Sequence, residues 1–355
     1  MEKDLRDAAL LFIEELLNLK QGEKLLIYVD KGSDLDVAKA ISKNAKTIGA
    51  PVELFELNSN LKLPDMAREL KHKIEKGAFA VICELSEQYF YHSPAWQRAL
   101  QLGSRIYSLT GLNADAFIRC IGKVNHNSML QFGKVLKTSF KKAKSIKIVT
   151  KRGTKITFQM DNNFVSRFVP KLENNIVFRL ISRLTRKLRS YITFPSSIQI
   201  QRGQSAFMGG QLVFRGIPET IEGTAVIDGY LWPPHEIGLL EAPIILKIEK
   251  GNVIKINGCP SKSTILKQWI GGNTKEIEHF CIGFNPGANL SGKILEAERV
   301  FGYISIGIGR YPFHFDGIMK NPSILLNDRI IEQDGSFVQE ELSIIERDLL
   351  KDIQK

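Results

Sequence analysis

Hydrophobic and polar positions alternate in two different ways along this chain, and the change divides it. Leu5, Ala8, Ala9, Phe12, Leu16 and Leu19 recur at helical spacing, and Gln21-Gly22 ends the helix they predict over 4–19. KLLIYVD (24–30) then reads as a buried strand, 34–47 as a helix, VELFEL (52–57) as a strand and 66–76 as a helix. AFAVICEL (78–85), residues 95–102 and SRIYSLT (104–110) continue as strand, helix and strand. Strands and helices alternating at such short intervals predict a parallel open sheet covered by helices, an α/β domain over 1–142. VDKGSD stands where a GxGxxG turn would follow the first strand, so no dinucleotide site is read.

Beyond Lys144 the period shortens. SIKIVTKRGTKITFQM predicts a hairpin around Arg152-Gly153, and further strands are expected within 223–229, 243–258, 279–285, 303–309 and 322–337. Residues 143–355 are therefore read as a β-rich α+β domain, interrupted by an insertion at about 163–200.

The chain has 355 residues, 43% of them hydrophobic and 25% charged, which is ordinary globular composition. Its net charge of +11 is local: 14 basic and two acidic residues lie between Lys141 and Ser190. Val177, Ile181, Leu184 and Leu188 form one stripe of a helix over 174–190, and Arg179, Arg183, Arg186, Lys187 and Arg189 crowd its other faces. Such a helix either covers apolar surface of its own domain or meets an acidic partner. Phe178 is the one aromatic of that helix and does not make the interleaved pattern of a nucleic-acid surface, so nucleic acid is not expected. Cys83, Cys120, Cys259 and Cys281 form no CxxC pair, so neither a zinc site nor a disulfide framework is read. No membrane span and no signal peptide are expected, and the cysteine usage suits a reducing cytoplasm.

Candidate chemistry lies near the C-terminus. His314 and Asp316 form an HxD pair in YPFHFDG, and in an extended segment side chains two apart share a face, so both can grip one ion. His279 opens the strand HFCIGFN and is a candidate third ligand. Two histidines and a carboxylate leave three positions of an octahedral Fe(II) open. A histidine satisfied by backbone hydrogen bonds is the competing explanation for each imidazole. The aromatics Phe90, Tyr91, Trp96, Tyr311, Phe313 and Phe315 suit either a flat apolar substrate or the core.

EHFCIGFNPGANLSGKILEAERVFGYISIGIG, HFDG and NPSILLNDRIIEQDGSF resemble the C-terminal signature of the metalloaminopeptidases of peptidase family M29 and of their relatives, the 2,5-dihydroxypyridine 5,6-dioxygenases. GEKLLIYVD, HSPAWQRALQLGSRIYSLTG and GTAVIDG follow in the same order, and the likeness covers about 1–340 apart from the basic insertion. The peptidases hold two metal ions on two glutamates, two histidines and an aspartate. Here His279 stands at one glutamate position, Ser305 at a histidine position and Leu212-Val213 near the other glutamate, so donors for a second ion are missing. The dioxygenase branch is similar in its ligands, with a single iron at the positions of His279, His314 and Asp316.

The resemblance implies a non-haem Fe(II) dioxygenase acting with O2 on a hydroxylated aromatic or N-heteroaromatic small molecule, as a homodimer. His92 would then act as acid or base over the substrate, and Ser305 would hydrogen-bond substrate or oxygen. His92 also suits a plain helix start before Ser93-Pro94. The alternative function is an M29-like metalloaminopeptidase with altered ligands, recruiting Glu278 or Glu222.

Overall fold

The computed structural model describes residues 2–91, 93–161, 202–273, 275–309 and 313–351. The basic helix read over 174–190, His92 and most of the 310–313 loop lie outside these. The described chain divides into two compact units, one of 2–126 with 202–209, the other of 127–161 with 210–351.

The first unit is the expected parallel sheet. Strands β1 (Leu25–Val29), β2 (Val52–Glu56), β3 (Val81–Glu84), β4 (Arg105–Ser108) and, seventh in chain order, β7 (Ser205–Phe207) lie side by side as β2-β1-β3-β4-β7, all parallel. Helices α1 (Glu2–Leu11), α2 (Leu35–Thr47), α3 (Leu63–Gly77) and α4 (Pro94–Gln101) cover it, with a π turn at Phe12–Leu16 extending the first. The start signals are local. Asp34 caps α2 by accepting the Asp36 N–H, and Ser93 caps α4, where Pro94 supplies the fixed φ of a first turn. β1 and β3 are buried along their whole length, as strands covered on both faces must be.

The second unit is antiparallel. β5 (Ser145–Val149) and β6 (Lys155–Gln159) form the expected hairpin. With β9 (Glu222–Ile227), β12 (Ile244–Glu249), β13 (Asn252–Gly258), β17 (Ser323–Leu326), β18 (Arg329–Gln333) and β19 (Ser336–Phe337) they make an eight-stranded sheet, order β13-β12-β9-β6-β5-β17-β18-β19. A six-stranded sheet runs β11-β10-β16-β15-β14-β8, from β8 (Gln211–Phe214), β10 (Tyr230–Trp232), β11 (Gly238–Leu239), β14 (Ile277–Gly283), β15 (Tyr303–Ile308) and β16 (Phe315–Lys320). Three further helices of this unit, α6 (His126–Lys142), α7 (Pro260–Ile270) and α9 (Glu340–Lys351), follow α5 (Ala114–Phe117) of the first and bracket the short α8 (Ile294–Ala297).

The two sheets pack through aromatic side chains. Phe158 on β6 stacks on Phe280 of β14 with ring centroids 4.7 Å apart and also faces Phe214 of β8. Phe280 points into this sandwich, so by the two-residue period of a strand His279 and Cys281 point out of the opposite face. Among the described residues no helix is long and apolar enough to cross a membrane.

Candidate metal centre

Register builds the site. His279 pairs with Gly307, Gly307 with Asp316, and Asp316 with Trp232, so one row crosses β14, β15, β16 and β10 on the outer face of the six-stranded sheet. Asp316 thereby comes opposite a histidine 37 positions earlier in the chain. Two local devices let the row close. Between Ile277 and His279 the pairing slips by one residue, a bulge whose extra residue is Glu278. Gly307 leaves the space the His279 ring fills: a Cβ there would lie 2.3 Å from the imidazole Cε1.

His279 Nε2 lies 3.2 Å from Asp316 Oδ1, and His314 Nε2 lies 3.1 Å from Asp316 Oδ2. The two rings are near-parallel with centroids 5.2 Å apart. One carboxylate is thus gripped between two imidazoles, and the ligand atoms of all three lie within 4.8 Å of one another. Adjacent ligands bound at ~2.1 Å are ~3.0 Å apart around an octahedral ion and ~3.4 Å around a tetrahedral one, and each imidazole nitrogen lies at such a distance from its own Asp316 oxygen. Asp316 Oδ1 has no aligned hydrogen-bond donor among the described residues, although His279 Nε2 lies 3.2 Å away. His314 donates its Nδ1–H to the Gly309 carbonyl at 3.0 Å, which fixes the tautomer that presents Nε2, and the Glu278 carboxylate lies 3.4 Å from the same outer nitrogen.

Without a cation the charges adjust to one another. Burial works against charge on His279, yet the Cys281 sulfur and the Asp316 carboxylate raise it well above the ordinary imidazole value. Burial likewise disfavours charge on His314, and Asp316, helped by Glu278, outweighs it and raises the ring to about 10. Asp316 is held well below the usual carboxylate range: burial would raise it, but His314 and His279 prevail. Burial, reinforced by the Asp316 charge, pushes nearby Glu298 up to about 7.

Ser305 sits in the next row, paired with Cys281 on one side and Ile318 on the other, and its buried hydroxyl has no hydrogen-bond partner among the described residues. Glu222 does not join the cluster; it accepts the Lys250 N–H on the other sheet. The aromatics divide. Phe90, Trp96 and Phe315 are buried in packing, Tyr91 lies edge-on to Trp96 at 5.1 Å, and Phe313 meets Trp269 at 5.8 Å beside His314. Cys281, Glu298 and Gly307 were not singled out from the sequence. A glycine inside a strand is a known mark of close approach and was the available signal for Gly307.

No family model matches the chain, and no curated protein matches it in sequence. Solved structures match it in fold. 2,5-Dihydroxypyridine dioxygenase from Pseudomonas putida KT2440 superposes with a TM-score of 0.70 at 17% identity, over 97% of this chain and 99% of that one. The chain shares that fold. AmpT from Thermus thermophilus, on the aminopeptidase side of the resemblance, gives 0.59 at 12% identity over 95% and 99%. The expected architecture, a parallel sheet with helices followed by a β-rich unit, is what these neighbours and the structure have in common.

Proposed function

We propose that the chain is a mononuclear non-haem Fe(II) oxygenase acting on a hydroxylated aromatic or N-heteroaromatic small molecule. The observation that carries this reading is the pair of imidazole Nε2 atoms at 3.2 and 3.1 Å from the two oxygens of Asp316. It is supported by the fold shared with a dioxygenase. His279, His314 and Asp316 hold the ion, and Fe(II) in such a set supplies adjacent coordination for substrate and dioxygen and a route for electrons between them. His314 is kept in its ligating tautomer by Gly309. Ser305, in the next row of the same sheet, has a buried hydroxyl with no hydrogen-bond partner among the described residues and is retained as the proposed hydrogen-bond donor to substrate or oxygen. Glu278 approaches His314 from its outer nitrogen, opposite the ligating one, which suits an imidazole partner better than the extra ligand an aminopeptidase would need. His92, outside the described residues, is retained as the proposed acid or base.

The test is oxygen uptake by protein loaded anaerobically with Fe(II), against a panel of hydroxylated aromatic and pyridine compounds. Uptake that depends on both Fe(II) and one of these compounds is expected. Hydrolysis of amino-acid amides with added Zn(II) or Co(II), without oxygen uptake, would overturn the assignment in favour of an aminopeptidase.

A further inference from the structure

A ligating imidazole needs an acceptor for its second nitrogen, since the outer hydrogen bond sets tautomer and ring orientation. His314 has one in the Gly309 carbonyl, with Glu278 beside it. His279 does not: its Nδ1 is buried and has no aligned partner among the described residues. Two residues along the same strand, on the same face, stands Cys281, a free and buried cysteine. Glu298 completes a second cluster, because a ring nitrogen of His279, the Cys281 sulfur and a Glu298 carboxylate oxygen all lie within 4.8 Å of one another.

The fold delivers Glu298 to this spot. Gly283, two residues beyond Cys281 and again on the outer face, lets the 298–300 backbone lie directly on the strand: a Cβ at 283 would sit 2.4 Å from the Val300 carbonyl oxygen and 2.9 Å from that of Glu298. The buried Arg299 then clamps the segment, its Nη1 donating to the Leu295 carbonyl at 2.7 Å and reaching Glu298 Oε2 at 3.4 Å.

We propose that Cys281 and Glu298 are the positioning pair for His279: the sulfur accepts the His279 Nδ1–H, and the thiol S–H is directed to the Glu298 carboxylate. Nε2 is thereby left as a lone pair facing Asp316. A sulfur acceptor gives a longer and softer hydrogen bond than the carbonyl behind His314, so the two imidazoles are held unequally. A second cation on the same three side chains is disfavoured, because it would need the Nδ1 lone pair of a ring already bound through Nε2. The inference rests on the metal reading of the site, and neither on iron nor on dioxygen.

The probe is Co(II), titrated anaerobically and followed by its visible spectrum, with wild type, Cys281→Ala, Cys281→Ser, Glu298→Ala and the Cys281→Ala/Glu298→Ala double variant. One Co(II) per wild-type chain is expected. Cys281→Ala should bind about 10- to 100-fold more weakly, as losses of outer partners do. Cys281→Ser, which restores an acceptor and donor, should recover most of that loss. The double variant should be little weaker than Cys281→Ala alone, since the chain is already cut at the sulfur. Wild-type binding left unchanged in Cys281→Ala would overturn the positioning role while leaving the metal centre standing. A thiolate-to-cobalt charge-transfer band, or a second equivalent of Co(II) lost with Cys281, would overturn it by making the sulfur a ligand. Absence of Co(II) binding to wild type would overturn the metal reading and this inference with it. Thermal melting of each metal-free variant separates weakened binding from failure to fold.

Discussion

Gly307 carries more of the site than its lack of a side chain suggests. Its bare Cα is the floor on which the His279 ring lies, so Gly307→Ala drives a methyl into the imidazole. Overpacking of this kind costs ~1–3 kcal/mol. The variant is expected to melt earlier and to bind metal much more weakly than that loss alone implies; calorimetry and metal titration check both. The ion cluster itself makes a pH prediction. His314 is raised from 6.5 to about 10, so in the metal-free protein its pairing with Asp316 contributes fully below pH 6.5 and is lost as pH climbs toward 10. Metal-free protein should therefore lose stability across that range, and Asp316→Asn should flatten the decline. Metal binding should tighten over the same range, because the ion displaces the imidazole protons; melting curves with and without metal read both effects. At this scale the sequence was informative about type and silent about distance. HxD spacing places His314 and Asp316 on one chain segment, but only strand register brings His279 to them, and nothing local marks Glu298 as their neighbour.

At the scale of elements, the six-stranded sheet separates two jobs by face. Phe280 and Phe214 look inward to Phe158 while His279 and Cys281 look outward. Phe158→Ala should cost ~3–5 kcal/mol as a core aromatic truncation. Metal affinity of the protein that remains folded should change little, which separates packing from ligation in one variant. In the parallel sheet, Tyr28, Glu84 and Ser108 occupy one row across β1, β3 and β4, and burial raises Glu84 to about 7 from an ordinary 4.5. A carboxyl that holds its proton more tightly when folded lowers stability as pH rises from 4.5 through 7. Glu84→Gln removes that titration and should gain relative to wild type above pH 7, with no gain at pH 4; chemical denaturation at the two pH values measures it. The long strands and helices of the first unit were legible because their apolar runs have clear periods and caps. β7, three residues arriving after the basic insertion, is too short for a period. α6 and α9 were not read, although Met129, Phe132, Leu136 and Phe140, and Leu342, Ile345 and Leu349, recur at helical spacing and are buried.

For the whole molecule, charge and composition bounded the class, and the fold neighbours match nearly end to end at 17% and 12% identity. So little shared sequence carries the fold alone and leaves chemistry to the ligands that this chain presents. The account's central claim is that His279, His314 and Asp316 together hold one cation. Its most direct measurement is metal content per chain after anaerobic Fe(II) loading and removal of free metal, for wild type and for the three single alanine variants. One ion per wild-type chain, lost in each variant while the metal-free fold persists, is the predicted result. A wild-type chain that retains no ion, or variants that retain it as well as wild type, would contradict the account.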